Sequence, residues 1–115
     1  MLSLKNICYH PSTAEKPILK NLCLKSNSGK IIIVRGPSGS GKTTLVEVIS
    51  GLSGYQKGEI KWHNSNLNAR QRRSLCGLVF QFPERYFLGL SVAQELRIGH
   101  KRLTTEEQVS TLNKV

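Results

Sequence analysis

Apolar residues along the chain fall into short runs separated by polar stretches, and their spacing predicts strands alternating with helices. Residues 2–9 and 18–24 carry spaced apolar positions and are predicted to be strands, with a polar, Pro-flanked loop at residues 11–17 between them. The β-branched run at residues 31–34 is continuously apolar, which is typical of a strand buried on both faces in a parallel sheet. Residues 78–80 are another candidate for a buried strand.

Helical spacing appears directly after the run at residues 31–34 and its glycine-rich continuation. Leu45, Val48 and Ile49 recur at i, i+3 and i+4, which predicts one apolar helix face, and Gly51 is placed to end that helix. The predicted order is therefore strand, glycine-rich loop, helix, as in an α/β protein.

The remaining elements are predicted from shorter signals. Residues 59–62 alternate as a strand does, with a turn at His63 and Asn64, and residues 68–75 fit a short polar helix. Ser91 and Thr104 each begin a capping-box pattern, which predicts two further helices. The last helix is expected to continue to Val115, because neither Gly nor Pro interrupts it.

The composition points to a reduced, basic protein. The formal net charge is +10, from 17 Lys and Arg against 7 Asp and Glu, but only residues 70–73 form a basic cluster. We interpret this cluster as a solvated surface, so nucleic acid is not an expected partner. Three cysteines and three histidines show no zinc-site spacing and are expected to be plain thiols and imidazoles. No signal peptide or membrane-spanning run is found, so we expect a cytoplasmic location.

The strongest chemical signal is the glycine-rich loop at residues 36–43, which matches the P-loop pattern G-x-x-x-x-G-K-[ST] without a gap. The glycines allow consecutive backbone N–H groups to face a phosphate, and the N-terminus of the following helix faces the same anion. Lys42 is expected to reach the β- and γ-phosphates, and the Thr43 hydroxyl is a suitable ligand for Mg²⁺. The candidate ATP-binding residues are Gly36, Pro37, Ser38, Gly39, Ser40, Gly41, Lys42, Thr43 and Thr44.

The acidic residues limit what this loop is expected to do. P-loop enzymes hold Mg²⁺ with an additional carboxylate, usually an aspartate that ends a hydrophobic strand. All seven acids of this chain are glutamates, and no aspartate is present. Glu59 lies at the start of a predicted strand rather than at its end, and Glu84 lies in a loop, so neither replaces that aspartate well. The sequence therefore predicts nucleotide binding without the groups that complete hydrolysis.

The chain resembles the first half of an ABC-type ATPase from Leu4 to about Gly99. Residues 29–45 follow that family's pattern around the P-loop, and residues 49–52 and 58–60 resemble the stretch that comes after it. The segment Phe82-Pro83-Glu84-Arg85-Tyr86-Phe87 resembles the variant found in cobalt- and energy-coupling-factor-type importers, and is most similar to cyanobacterial and plastid members.

This resemblance implies an incomplete P-loop NTPase fold: a β subdomain with the P-loop strand and helix at residues 1–80, and the Q-loop with the start of a helical subdomain at residues 81–115. It implies that Gln81 is the Q-loop glutamine, which contacts Mg²⁺ or the attacking water. The loop after Gln81 would face a transmembrane subunit, with Tyr86 and Phe87 as partner contacts or core. Tyr9 is the best candidate for stacking on adenine, although packing in the core is equally open.

The resemblance also implies what the chain does not contain. The family's signature motif, Walker B acids, D-loop and switch histidine lie downstream of the Q-loop, and we interpret the chain as the N-terminal part of such an ATPase. The expected function is the ATP-binding part of an ABC-type importer, working as a homo- or heterodimer on the inner face of a membrane. Another P-loop enzyme such as a small kinase, a basic binding module and a truncated product without turnover are the alternatives.

Overall fold

A four-stranded antiparallel sheet is built around the N-terminal segment in the computed structural model, which describes residues 1–100 and 102–115. The spatial order of the strands is β2-β1-β3-β4. The strands are β1 (Leu2–Tyr9), β2 (Leu19–Ser26), β3 (Lys57–Trp62) and β4 (Ser65–Asn66). The chain divides into two compact units, Met1–Leu78 and Val79–Val115, and the whole sheet lies in the first.

The predictions for β1, β2 and β3 are confirmed, whereas β4 was not predicted. The central strand β1 pairs with β2 on one side and with β3 on the other, with Leu4 opposite both Leu24 and Ile60. The turn between β3 and β4 consists of His63 and Asn64, whose φ angles are 47° and 65°. Two consecutive positive φ angles are those of a type I′ turn, which suits a two-residue hairpin.

The hydrophobic core of the first unit lies between this sheet and the helix α1 (Lys42–Ser50). Apolar side chains on one face of the sheet pack against Leu45 and Val48 of the helix. Gly51 ends α1 with φ 84°, as predicted, because a left-handed residue at this position lets its N–H reach carbonyls of the last turn. The buried core residues are Leu4, Ile7, Leu19, Leu45, Val48 and Ile60.

The short polar helix predicted at residues 68–75 is also confirmed, as α2 (Ala69–Leu75). Asn68 forms a complete capping box with Gln71: the Asn68 side chain accepts a hydrogen bond from the Gln71 N–H at 2.9 Å. The Gln71 side chain accepts one in return from the Asn68 N–H, also at 2.9 Å. Two of the N–H groups at the start of the helix are therefore satisfied.

The described residues of the second unit form three short helical segments: a 3-10 helix (Pro83–Tyr86), α3 (Val92–Arg97) and α4 (Thr105–Leu112). The predicted capping box is complete at Thr104, with Glu107. At Ser91 only half of it forms: Ser91 accepts from the Gln94 N–H, whereas the Gln94 side chain accepts from the Leu90 N–H. The prediction that the last helix reaches Val115 is wrong, because α4 ends at Leu112. The final residues form the shorter i to i−3 bonds that tighten a frayed last turn, from Lys114 N–H to Thr111 O and from Val115 N–H to Leu112 O.

Two buried strands predicted from the sequence are not formed. Residues 31–34 and residues 78–80 lie outside helices and strands, and the side chains of Ile31 and Val79 are 92% and 80% exposed. The strand expected before the P-loop is therefore absent from the described residues. A strand of a parallel sheet satisfies its backbone only through neighbouring strands, and within residues 1–100 and 102–115 every paired strand belongs to the antiparallel sheet.

The basic cluster at residues 70–73 is only partly solvated, so its interpretation as a plain surface is wrong for Arg72. That side chain is 4% exposed, and its Nη1 donates to the Leu67 carbonyl at 2.8 Å. The neighbouring Arg73 donates to the Gly51 carbonyl at 2.8 Å. The arrangement follows from the helical period, because Ala69, Arg72 and Cys76 are spaced to lie along one side of α2.

Candidate nucleotide-binding site

The glycine-rich loop begins with a tight turn over residues 37–40. The Ser40 N–H donates to the Pro37 carbonyl at 3.2 Å, and Gly39, the third residue of the turn, has φ 79°. A positive φ at this position is the conformation of a type II turn, which strongly favours glycine. The turn lies on the surface, with every residue from 36 to 40 exposed.

The loop leads into an N-terminus of α1 that has no protein cap. Gly41 at the N-cap position is left-handed, with φ 97°, and offers no side-chain hydrogen bond. The first helical bond joins the Leu45 N–H to the Gly41 carbonyl at 2.8 Å, so the N–H groups of Lys42, Thr43 and Thr44 have no intrahelical acceptor. The first turn also contains no acidic residue. Unsatisfied donors and the positive end of the helix dipole therefore meet here, which is the local chemistry of an anion site.

Lys42 adds a full positive charge at this helix terminus. Its Nζ donates to the carbonyls of Gly36 and Pro37 at 2.6 and 2.7 Å and to Ser40 Oγ at 3.3 Å. These three acceptors hold the ammonium inside the curve of the loop. Because an ammonium has three donors, a phosphate oxygen that binds Nζ must replace at least one of these partners.

The glycine-rich loop lies against the end of β1 and the start of β2, a feature that the sequence did not predict. A Cβ at Gly41 would lie 3.1 Å from Ile18 Cγ2, and the Ile18 N–H donates to the Tyr9 carbonyl at 2.9 Å. The end of β1 therefore lies beside the start of α1. The one available sequence signal was the apolar pair of residues 18 and 19, the second of which begins β2.

Tyr9 is half-buried and packs against the core of the first unit, so the packing alternative describes its contacts. The backbone that follows Tyr9 is fixed by Gln56, whose side chain pairs with both the N–H and the carbonyl of His10 at 2.9 Å. The His10 Nε2 lies 2.7 Å from the Ala14 carbonyl, which ties its ring to the loop at residues 11–17. These contacts hold the Tyr9 end of the strand in a fixed place beside the glycine-rich loop.

Gln81 belongs to the second unit, where its side chain is exposed just before the 3-10 helix. The residues after it form an apolar and largely exposed segment. The Phe80 and Tyr86 rings stack with centroids 4.9 Å apart, and the Arg85 guanidinium lies 4.8 Å from the centre of the Phe82 ring. Phe87 is 66% exposed, so its ring does not fill a core among the described residues.

The donors present fit a phosphate group better than they fit a metal ion alone. Thr43 is exposed in the first turn of α1, where its hydroxyl is available as a hard oxygen ligand. No group of three or more His, Cys, Asp or Glu side chains with metal-binding geometry occurs among residues 1–100 and 102–115. Mg²⁺ would therefore need phosphate oxygens and water in addition to Thr43. Across the same residues, no helix has the length and apolar character needed to span a bilayer.

Comparisons with known proteins agree with this geometry. A family model described as ABC transporter matches residues 19–115. The chain is 35% identical over 113 residues to a nickel import ATP-binding protein, LarO, of Lactiplantibacillus plantarum, covering 90% of this chain and 46% of that protein. It is 33% identical to an energy-coupling factor transporter ATP-binding protein, EcfA1, of Ligilactobacillus salivarius, covering 96% of this chain and 41% of the relative.

Solved structures show the same relationship. The chain superimposes on a dimeric bacterial ABC transporter cassette, MJ0796, with a TM-score of 0.74 and 25% identity, covering 94% of this chain and 52% of that one. A second structure of MJ0796, described as a post-hydrolysis state bound to ADP and Pi, matches with the same TM-score at 27% identity. The chain thus spans about half the length of the relatives that it matches.

Proposed function

Because the chain belongs to the ABC transporter family, we propose that its glycine-rich loop holds the phosphates of MgATP for an ABC-type importer. The observation that carries this proposal is the position of Lys42. Its Nζ lies in the curve of the loop, within 2.7 Å of two loop carbonyls, beside an uncapped helix N-terminus. An ammonium and several free N–H groups on one side of a loop suit a polyphosphate better than a single carboxylate.

The loop residues divide this work among them. The N–H groups of the first turn of α1 donate to one phosphate, and Lys42 exchanges a loop carbonyl for an oxygen of the β- or γ-phosphate. The Thr43 hydroxyl is proposed to ligate Mg²⁺, which when bound would neutralise part of the phosphate charge. Tyr9 is proposed to stack on adenine with its exposed part, since Ile18 joins the Tyr9 carbonyl to Gly41.

The remaining functional assignments rest on the family. We propose that Gln81 senses Mg²⁺ or the γ-phosphate, and that the exposed aromatic segment after it docks on a transmembrane subunit at the inner membrane face. We also propose that the ATPase works as a dimer; MJ0796 cassettes, to which this chain is similar, are described as dimeric. LarO is described as a nickel import ATP-binding protein and EcfA1 as an energy-coupling factor transporter ATP-binding protein, and the first of these names supports an importer here.

Nucleotide binding is expected without turnover by this chain alone. Its seven acidic residues are all glutamates, and P-loop enzymes rely on a further carboxylate at the Mg²⁺. The chain is therefore proposed to release no phosphate from ATP above the background rate. Measured turnover that Lys42→Ala abolishes would show a complete catalytic site and contradict this part of the proposal.

The loop assignment is tested by thermal unfolding with and without MgATP. A ligand that binds only the folded state stabilises it by about 2.7 kcal/mol at 100 times its Kd, so Tm should rise with MgATP concentration. Lys42→Ala should remove this rise. Lys30→Ala, at an exposed position outside the loop, is the matched control and should keep it. An equal rise in both variants would place the nucleotide elsewhere.

A further inference from the structure

Arg72 is a buried cation that has no acidic partner. Its side chain is 4% exposed, and among the described residues the single ion pair joins Lys61 to Glu59. Nη1 donates to the Leu67 carbonyl at 2.8 Å, and the guanidinium carbon lies 5.3 Å from the centre of the Tyr55 ring. Nε is buried and has no hydrogen-bond partner. A buried charge with an unused donor is costly unless an anion or acceptor completes it.

The same arginine lines a cavity of about 140 Å³ whose other walls are largely apolar. Ile49 of α1, Ile60 and Trp62 of β3, and Leu75 of α2 form these walls. An apolar cavity of roughly 150 Å³ is large enough to take a benzene-sized molecule. One cationic wall in an otherwise apolar space selects a ligand with two parts, an anionic head and a small apolar body.

We propose that this cavity binds a small carboxylate with an apolar body, and that its carboxylate pairs with the free Nε edge of Arg72. A guanidinium presents two parallel N–H donors along such an edge, which match the two oxygens of a carboxylate. Nη1 already serves the Leu67 carbonyl, and Nε is buried without a partner, so pairing requires the guanidinium to turn its Nε edge towards the cavity as the ligand enters. The apolar body of the ligand would contact Ile49 and Trp62 and would thereby be removed from water.

This site is separate from the glycine-rich loop. The lining residues of the cavity include none of residues 36–43, and its polar group is Arg72 rather than Lys42. Binding there therefore does not rest on the proposed nucleotide function. The carboxylate is expected to bind the cavity saturably, whether or not MgATP binds the glycine-rich loop.

Trp62 makes the proposal directly measurable, because it is the only tryptophan of the chain and lines the cavity. The indole N–H resonance of the ¹⁵N-labelled full chain is followed while sodium benzoate is added at constant ionic strength. Benzamide, which has the same shape without the charge, is the matched ligand. Benzoate should shift the resonance saturably and bind at least about tenfold more tightly than benzamide, as expected for hydrogen bonds to a charged group.

Three variants separate the cavity from general charge effects. Arg72→Leu should abolish the preference for benzoate over benzamide, whereas Arg70→Leu removes the same charge from an exposed position of α2 and should keep it. Ile49→Phe, which fills the cavity and leaves Arg72 in place, should block both ligands. The Ile49→Phe variant also tests the proposal if Arg72→Leu does not fold.

Several results would overturn the proposal. One is the absence of a saturable shift up to about 10 mM benzoate, well above the ~1 mM expected for a small ligand. Equal affinities for benzoate and benzamide, or unchanged benzoate binding in Ile49→Phe, would do the same. A Trp62 shift that depends on protein concentration without any ligand would assign the cavity to a second copy of the chain instead.

Discussion

Gly41 joins the glycine-rich loop to α1 in a backbone conformation that few other residues adopt. Its φ is 97°, and an added Cβ would lie 3.1 Å from Ile18 Cγ2. A left-handed conformation costs an L-residue roughly 1–2 kcal/mol, to which this close contact adds. Gly41→Ala should therefore lower the free energy of unfolding by at least about 1 kcal/mol and reduce the MgATP-dependent rise in Tm. Urea unfolding and thermal unfolding measure the two effects.

Gly54→Ala is the control for this prediction. A Cβ at Gly54 would meet no atom within 4 Å, and its φ is not positive. The substitution should change the unfolding free energy by less than about 0.5 kcal/mol, or stabilise slightly by restricting the unfolded chain. Equal losses in the two variants would mean that the conformation of Gly41 is not what the loop requires.

Single residues differ in how far their roles could be predicted from the sequence. The spacing of Gly36, Gly41 and Lys42 predicts a phosphate-binding loop, because each of these residue types meets a local backbone or charge requirement. The burial of Arg72 was missed because its neighbours in sequence are basic, and a run of charges usually means a solvated face. Only the helical spacing from Ala69 to Cys76 indicated that one arginine would point inward.

The element α2 depends on its capping box, since Asn68 satisfies an N–H group at its start. Asn68→Ala should cost about 1 kcal/mol of unfolding free energy, the usual effect of losing an N-cap side chain. The loss of the cap should also make Arg72 more mobile, because the backbone N–H of Arg72 donates to the Asn68 carbonyl at 3.0 Å. Urea unfolding, with the Trp62 resonance as a local probe, measures both effects.

The exposed Asn66 provides the comparison for this helix. It lies in β4 and pairs with Lys61 through its backbone, so Asn66→Ala should leave the unfolding free energy within about 0.5 kcal/mol of the parent chain. If Asn68→Ala were equally silent, the capping box would contribute nothing measurable to α2.

Elements that satisfy their own backbone were predicted better than those that need neighbours. The helices follow from caps such as Asn68 and Thr104, whose side chains act within one turn. The run at residues 31–34 carries a strong strand signal and yet forms no strand. Its continuous apolar pattern is typical of a strand that is buried between neighbouring strands. Whether such neighbours are present depends on residues outside the run.

At the scale of the molecule, the hydrophobic core is confined to the first unit. All six buried apolar side chains of the described residues lie between Leu4 and Ile60, inside Met1–Leu78. A shortened chain of residues 1–78 should therefore fold on its own, with limited stability because a domain of this size buries a modest share of its surface. Cooperative urea unfolding and dispersed amide resonances for β1 are expected. Loss of that dispersion would mean that the core needs the rest of the chain.

The net charge of +10 is the remaining property of the whole molecule, and its distribution argues against a dedicated nucleic-acid site. Within the basic cluster, Arg72 and Arg73 donate to the backbone carbonyls of Leu67 and Gly51, and of its arginines only Arg70 and Arg73 are exposed. Binding to duplex DNA should therefore be non-specific, with a Kd in the range of about 10⁻⁴ to 10⁻⁶ M at physiological salt. Affinities measured by fluorescence anisotropy for several unrelated duplexes should be equal and should fall steeply with salt. Tight binding to one duplex that persists at high salt would instead reveal base contacts, and would assign the excess of lysine and arginine to nucleic-acid recognition.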